Sequence, residues 1–253
     1  MARARGLVVF LGAILGTLIY CGSALVICVF CRPRAVIAWI SRNWARFMLF
    51  PTGVRLTIEG RERLKPGQPY YFVGNHQSAI DIPIIMLATG GDVRFMAKDT
   101  LFKIPIMGPA MVRCGYVPID RNDARSALRA LKLALERMKH DPISFAMFPE
   151  GTRTYDGRLL PFRKGALKIG LLSGMPVVPF SIDGAWRVND RARFEIKPGP
   201  VRVVFHEPIP VETLSRLNST ELRDMVARTI AKELGQAPEL EPAAGPVPEA
   251  ESA

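Results

Sequence analysis

From Leu7 to Cys31 the chain carries no charged residue. As a helix, such a run of 25 residues is about 37 Å long and can cross a bilayer with some tilt. It exceeds the apolar core of a signal peptide and continues past the small-residue site at Ala24, which argues against cleavage there. Arg3 and Arg5 precede the run, whereas Arg32, Arg34, Arg42 and Arg46 follow it. The basic count therefore favours a cytoplasmic C-terminal side by a small margin. Gly12 and Gly16 have the spacing of close helix packing, but small residues are common in such helices and no function is assigned to them.

Val36, Ile37, Ile40, Trp44, Phe47 and Met48 then recur at helical spacing, with Arg42 and Arg46 opposite. This face suits either a helix lying in the membrane interface or one packed on a soluble domain. Residues 1–50 are thus expected to form a membrane-anchoring helical segment, spanning or lying in one leaflet.

From residue 51 short β-branched and aromatic runs alternate with helical periodicity, which predicts an α/β fold with a mixed central sheet flanked by helices. Strands are expected at Val54–Ile58, Tyr70–Val73, Val93–Ala97, Tyr116–Ile119, Ile143–Phe148, Val177–Ile182 and Val201–Phe205. Helices are expected at Ile82–Ala88, Ile104–Met111, Ala124–His140 with Asp123 as its cap, Arg163–Leu172 and Thr220–Leu234. Residues 51–235 form the expected catalytic domain. The last 18 residues hold four prolines and four glutamates without a basic or aromatic residue, and read as a disordered tail over 236–253.

Lys and Arg number 34 against 23 Asp and Glu, a net charge of +11 that favours anionic partners; without the tail it rises to +15, which suits docking on anionic lipid. Three of the four cysteines lie in the apolar run, so no disulfide framework or zinc spacing is present. A reducing, cytoplasm-facing domain is expected, at a bacterial inner membrane.

The chain has three histidines. His76 follows an apolar strand, and Asp81 stands five residues on. In an unbroken helix that offset would separate the side chains by about 140°. Pro83 favours a helix start near Ser78 to Asp81 instead, leaving His76 outside and able to fold back onto the carboxylate. The pair would then fix the ring tautomer and leave the other nitrogen as a base. The alternative is a helix cap at Asp81, or a capping box with Ser78, and a turn histidine. Phe148-Pro149-Glu150-Gly151-Thr152-Arg153 ends another buried strand, placing an acid and an arginine in a tight loop, for which an ion pair at the strand end is the plain structural explanation.

Taken together, Asn75-His76-Gln77-Ser78-Ala79-Ile80-Asp81, Gly115-Tyr116-Val117-Pro118-Ile119-Asp120-Arg121, Phe148 to Arg153 and Pro176-Val177-Val178-Pro179 occur in an order that resembles the glycerolipid acyltransferase family over about residues 70 to 183. The resemblance implies acyl transfer from acyl-coenzyme A or acyl carrier protein to the sn-2 hydroxyl of 1-acylglycerol 3-phosphate (lysophosphatidic acid), forming phosphatidic acid. It implies His76 and Asp81 as catalytic residues and Lys98, Arg121, Glu150, Gly151, Thr152 and Arg153 as substrate-binding residues. Thr154 stands where serine is more usual. Arg163-Lys164-Gly165 is read as a solvated, basic helix start, and His140 and His206 match no motif.

The residues suit that chemistry. His76 would take the hydroxyl proton as the oxygen attacks the thioester, Asp81 would stabilise the imidazolium, and backbone N–H groups after His76 would hold the oxyanion. No motif supplies an acyl-carrying serine or cysteine, so direct transfer is expected. No metal or other cofactor is expected, and membrane phospholipid rather than nucleic acid is the expected surface partner. Acylation of a lysolipid with another headgroup, thioester hydrolysis and non-catalytic lipid binding are the alternatives.

Overall fold

The computed structural model describes residues 2–30, 34–120, 129–130, 132–137, 143–190 and 195–238. Seven strands form one sheet: β1 (Val54–Glu59), β2 (Tyr71–Gly74), β3 (Val93–Lys98), β4 (Val117–Ile119), β5 (Ser144–Met147), β6 (Val177–Asp183) and β7 (Gly199–Phe205). Their spatial order is β1-β7-β6-β2-β5-β3-β4. Every pairing is parallel except β6 with β7, so the sheet is mixed, as the alternation of strand and helix patterns predicts. Each of the seven expected runs is one of these strands. The short antiparallel pair Asn189–Asp190 with Glu195–Ile196 was not expected; two residues a side are too few to show a period.

Alternation along β2 divides the core. Tyr71 and Val73 point into one layer with Leu167, Val177, Leu222 and Ile230, under α5 (Lys164–Leu172) and α6 (Ser219–Leu234). Phe72 points to the other, with Ile84, Ile85, Phe180 and Phe205, beneath α2 (Arg34–Leu49) and α3 (Asp81–Ala88). Each fully buried side chain of this size contributes about 1.5–3 kcal/mol by leaving water. Helix α6 starts on a full capping box, Asn218 with Glu221, and stops at Gly235 in the left-handed conformation.

The expected helix Ile104–Met111 begins later, as α4 (Met107–Arg113), because Asp99–Lys103 forms a 3-10 turn first. Of the expected helix Ala124–His140, residues 129–130 and 132–137 are helical, and Asp123, Arg121 and His140 lie outside the described residues, as does 239–253 of the expected tail.

Helix α1 (Ala2–Phe30) contains the stretch Val9–Ile27, long and apolar enough to cross a membrane. Leu7, Phe10, Leu11, Ile14, Leu15, Leu18, Ile19 and Val26 are exposed along it, an apolar face that suits lipid. The opposite face meets α2 and α4. Gly16 has a packing reason: a Cβ there would collide with the Phe47 ring. Thr17 Oγ1 accepts a hydrogen bond from Trp44 Nε1 at 3.1 Å, and the Tyr20 and Phe47 rings lie 6.1 Å apart. Helix α2 in turn buries Ile37, Ile40, Ala45 and Leu49, leaves Trp39 and Phe47 exposed, and packs on α3. It serves the soluble domain on one face and keeps an apolar remainder on the other.

Candidate active site

Four parallel strands, β6, β2, β5 and β3, present their carboxyl ends along one edge, and the expected motifs sit there. His76 lies two residues beyond β2, the Phe148–Arg153 loop follows β5, and Lys98 closes β3. Chain segments far apart in sequence thereby meet at one edge, the usual place for a site in a parallel sheet.

Helix α3 begins at Asp81, so His76 stands outside it. Its Nδ1 lies 2.7 Å from Asp81 Oδ2, which also accepts the backbone N–H groups of Gln77 and Ser78 at 2.7 Å each. Asp81 therefore acts as a backbone cap and as the histidine's partner at once. An ionised carboxylate only accepts, so Nδ1 carries the proton and Nε2 is the free acceptor. Asp81 is fully buried and His76 is 8% exposed, which leaves the ring a narrow opening. Because the Gln77 and Ser78 amides are committed to Asp81, they do not serve as the oxyanion donors expected from their position. Ala79 lines the cavity, and its N–H has no hydrogen-bond acceptor among the described residues.

The Phe148 loop holds His76 from three sides. Its backbone N–H donates to Glu150 Oε1 at 2.9 Å, its carbonyl accepts the Thr154 N–H at 3.0 Å, and its ring stacks on Phe148 with centroids 4.1 Å apart. Phe95 and Phe180 support Phe148 from behind. Asn75 pairs its amide with both backbone groups of Ile182 at 2.8 Å, and Gln77 accepts the Ala185 N–H at 3.1 Å. The histidine is thus fixed through residues on both sides of it.

Glu150, expected to bind substrate, is turned inward; it is 4% exposed and its carboxylate supports the His76 backbone. Burial pushes its pKa up to about 8; the His76 N–H opposes the shift, the Asp81 charge adds to it, and the Leu160 backbone opposes it. Near neutral pH Glu150 is therefore mostly protonated.

A cavity of about 920 Å³ opens in front of His76. Lys98, Gly151, Thr152 and Arg153 line it, with Lys98 and Thr152 exposed and Arg153 half-buried. Its apolar wall comes from α1 and α2, through Tyr20, Ala24, Ile40 and Trp44, together with Met86, Met111 and Phe95. The anchor segment is therefore part of the site, which its apolar composition alone did not reveal. Arg163 is exposed at the start of α5, as expected, and lines the cavity too. The Thr154 hydroxyl donates to Asp156 Oδ1 at 2.9 Å, a role serine fills equally. His206 stands apart, with its Nε2 2.8 Å from Ser181 Oγ, and burial lowers its pKa.

The acyltransferase family profile matches residues 55–183. The chloroplastic 1-acyl-sn-glycerol-3-phosphate acyltransferase BAT2 of Brassica napus is 39% identical over 173 residues, covering 68% of this chain and 49% of that protein. The human 1-acyl-sn-glycerol-3-phosphate acyltransferase alpha is 28% identical over 178 residues, covering 70% of this chain and 63% of that one. The chain spans about half the length of BAT2 and of the similar chloroplastic LPAT1 of Arabidopsis thaliana. The crystal structure of the 1-acyl-sn-glycerophosphate (LPA) acyltransferase PlsC from Thermotoga maritima superposes with a TM-score of 0.78 at 28% identity, covering 93% of this chain and 97% of that chain. With its strand order, motif placement and matched span of residues, the chain belongs to the acyltransferase family.

Proposed function

We propose that the protein transfers a fatty acyl chain from an acyl thioester, coenzyme A or acyl carrier protein, to the sn-2 hydroxyl of 1-acylglycerol 3-phosphate, giving phosphatidic acid at a membrane surface. The observation that carries this reading is the His76–Asp81 pair at 2.7 Å, at the head of a cavity with cations at its mouth and an apolar wall. His76 Nε2 takes the proton from the acceptor hydroxyl as its oxygen adds to the thioester carbonyl, and Asp81 stabilises the resulting imidazolium. The Ala79 N–H is the backbone donor we assign to the developing oxyanion. Collapse expels the thiolate, which recovers the proton from His76 Nε2. No acyl-enzyme is formed.

Arg153 and Lys98 hold the acceptor phosphate, and Arg121, outside the described residues, is assigned the same role by its motif alone. The arginines give a two-pronged contact and the lysine a point charge. Glu150 positions His76 rather than touching substrate. The apolar wall takes an acyl chain entering from the lipid, with α1 and α2 as both anchor and wall; the domain division at residues 50 and 235 is kept on that footing. The catalytic domain faces the reducing side of the membrane. The relatives named as chloroplastic give no ground for a bacterial inner membrane, so the proposal is limited to a membrane surface. Names of relatives that specify lysophosphatidic acid support the acceptor over other lysolipids.

The test is an acceptor series with labelled acyl-coenzyme A and full-length protein in detergent. 1-Acylglycerol 3-phosphate is expected to be the fastest acceptor, ahead of lysolipids with a phosphodiester headgroup and of monoacylglycerol. Thioester cleavage that proceeds equally without any acceptor would make the protein a hydrolase.

A further inference from the structure

Arg163 precedes α5, and its backbone N–H donates to the Pro149 carbonyl at 2.9 Å, which locks it to the Phe148 loop. Its side chain lies across Gly151. A Cβ built there would stand 3.0 Å from Nε and 3.1 Å from Cζ, so the glycine at φ 72° supplies both the turn and the room for the guanidinium. Arg163 is exposed and lines the cavity that holds His76, and its guanidinium has no hydrogen bond or ion pair among the described residues. Arg202, by contrast, is held by Glu59 and Glu233, and the buried Arg94 by backbone carbonyls. An arginine held at its root, laid flat on a catalytic loop and left without a carboxylate, is arranged to take an anion from the cavity.

We infer that Arg163 is a substrate-binding residue whose guanidinium, seated over Gly151, takes a phosphate group of one of the two substrates. The inference rests on the acyltransferase reading for what enters the cavity. The phosphate belongs either to the acceptor or to a coenzyme A donor, and unreactive probes separate the two. Full-length wild type, Arg163→Ala and Arg163→Lys in detergent are titrated calorimetrically with 1-acyl-2-deoxyglycerol 3-phosphate, which lacks the hydroxyl to be acylated, and with coenzyme A, which carries no acyl group. Arg163→Ala is expected to weaken one probe by about tenfold or more, with partial recovery in Arg163→Lys. A loss on the lipid probe assigns the phosphate to the acceptor, and a loss on coenzyme A assigns it to the donor. Affinities equal to wild type for both probes overturn the inference. So does a loss of the same size on 1-acyl-2-deoxyglycerol, which has no phosphate. Failure of wild type to acylate any lysolipid would sink the functional reading alone, because the binding comparison needs no turnover.

Discussion

The buried His76–Asp81 pair and the exposed cations that share one cavity are built by opposite rules. His76 and Asp81 lie below 10% exposure, and Phe148, Glu150, Asn75 and Gln77 fix the segment around them. Lys98 is exposed at the end of β3, and Arg163, tied by its backbone to Pro149, leaves an exposed side chain lying across Gly151. Under the proposed mechanism proton transfer tolerates little misplacement, which suits groups held in a buried shell by hydrogen bonds to Asp81 Oδ2 and Glu150 Oε1. A phosphate arriving from a bilayer brings its own position, and long cationic side chains accommodate it. Substitutions in the shell should therefore lower the catalytic rate, whereas those at the mouth should change which substrate is used.

The largest expected effect is that of His76→Ala, a fall in acyl transfer of about two to four powers of ten with the fold retained, checked by circular dichroism alongside the rate. Near-normal activity would remove the base from the mechanism. Asp81→Asn should follow with a loss of about two powers of ten or more, since an amide stabilises imidazolium poorly and can hold the wrong tautomer. At the mouth, Arg153→Ala should cost about one to two powers of ten in kcat/KM for 1-acylglycerol 3-phosphate and distinctly less for a lysolipid without phosphate. Equal losses on both acceptors would assign Arg153 to the loop instead.

The smallest effect concerns Glu150. Its folded pKa of about 8 lies above the ordinary 4.5, so the folded state binds more protons than the unfolded one between those values. Stability is fullest below pH 4.5 and is lost as pH rises through 8. Glu150→Gln keeps an acceptor for the His76 N–H and carries no charge, so its melting temperature should gain on wild type between pH 6 and 9, by about 5 °C. A gap independent of pH would mean that Glu150 is ionised throughout.

The strands were legible because they are apolar runs bounded by Gly and Pro, and His76 with Asp81 was legible because Pro83 marks the helix start. Glu150 is assigned to substrate by the resemblance alone, since an acid in a strand-end loop gives no sign of which way it faces. Its inward turn follows from β2 and β5 being neighbours, which no local pattern encodes. Arg163 was missed for the same reason: its place over Gly151 depends on a loop contact across 12 residues. The anchor's share in the cavity is tertiary as well. Deleting residues 1–50 would uncover the α3 face that Ile37, Ile40 and Leu49 bury and remove the Tyr20 and Trp44 wall. It should therefore abolish activity and solubility together rather than release a working soluble domain.

The central claim is direct transfer driven by His76, and a two-step mixing experiment tests it. Full-length protein is first mixed with labelled acyl-coenzyme A, and 1-acylglycerol 3-phosphate is added afterwards, with coenzyme release, labelled protein and labelled lipid followed in time. Coenzyme release should wait for the acceptor and then match phosphatidic acid one for one, with no label on the protein. A burst of coenzyme with labelled protein before the acceptor arrives, or no labelled phosphatidic acid after it, would contradict the account.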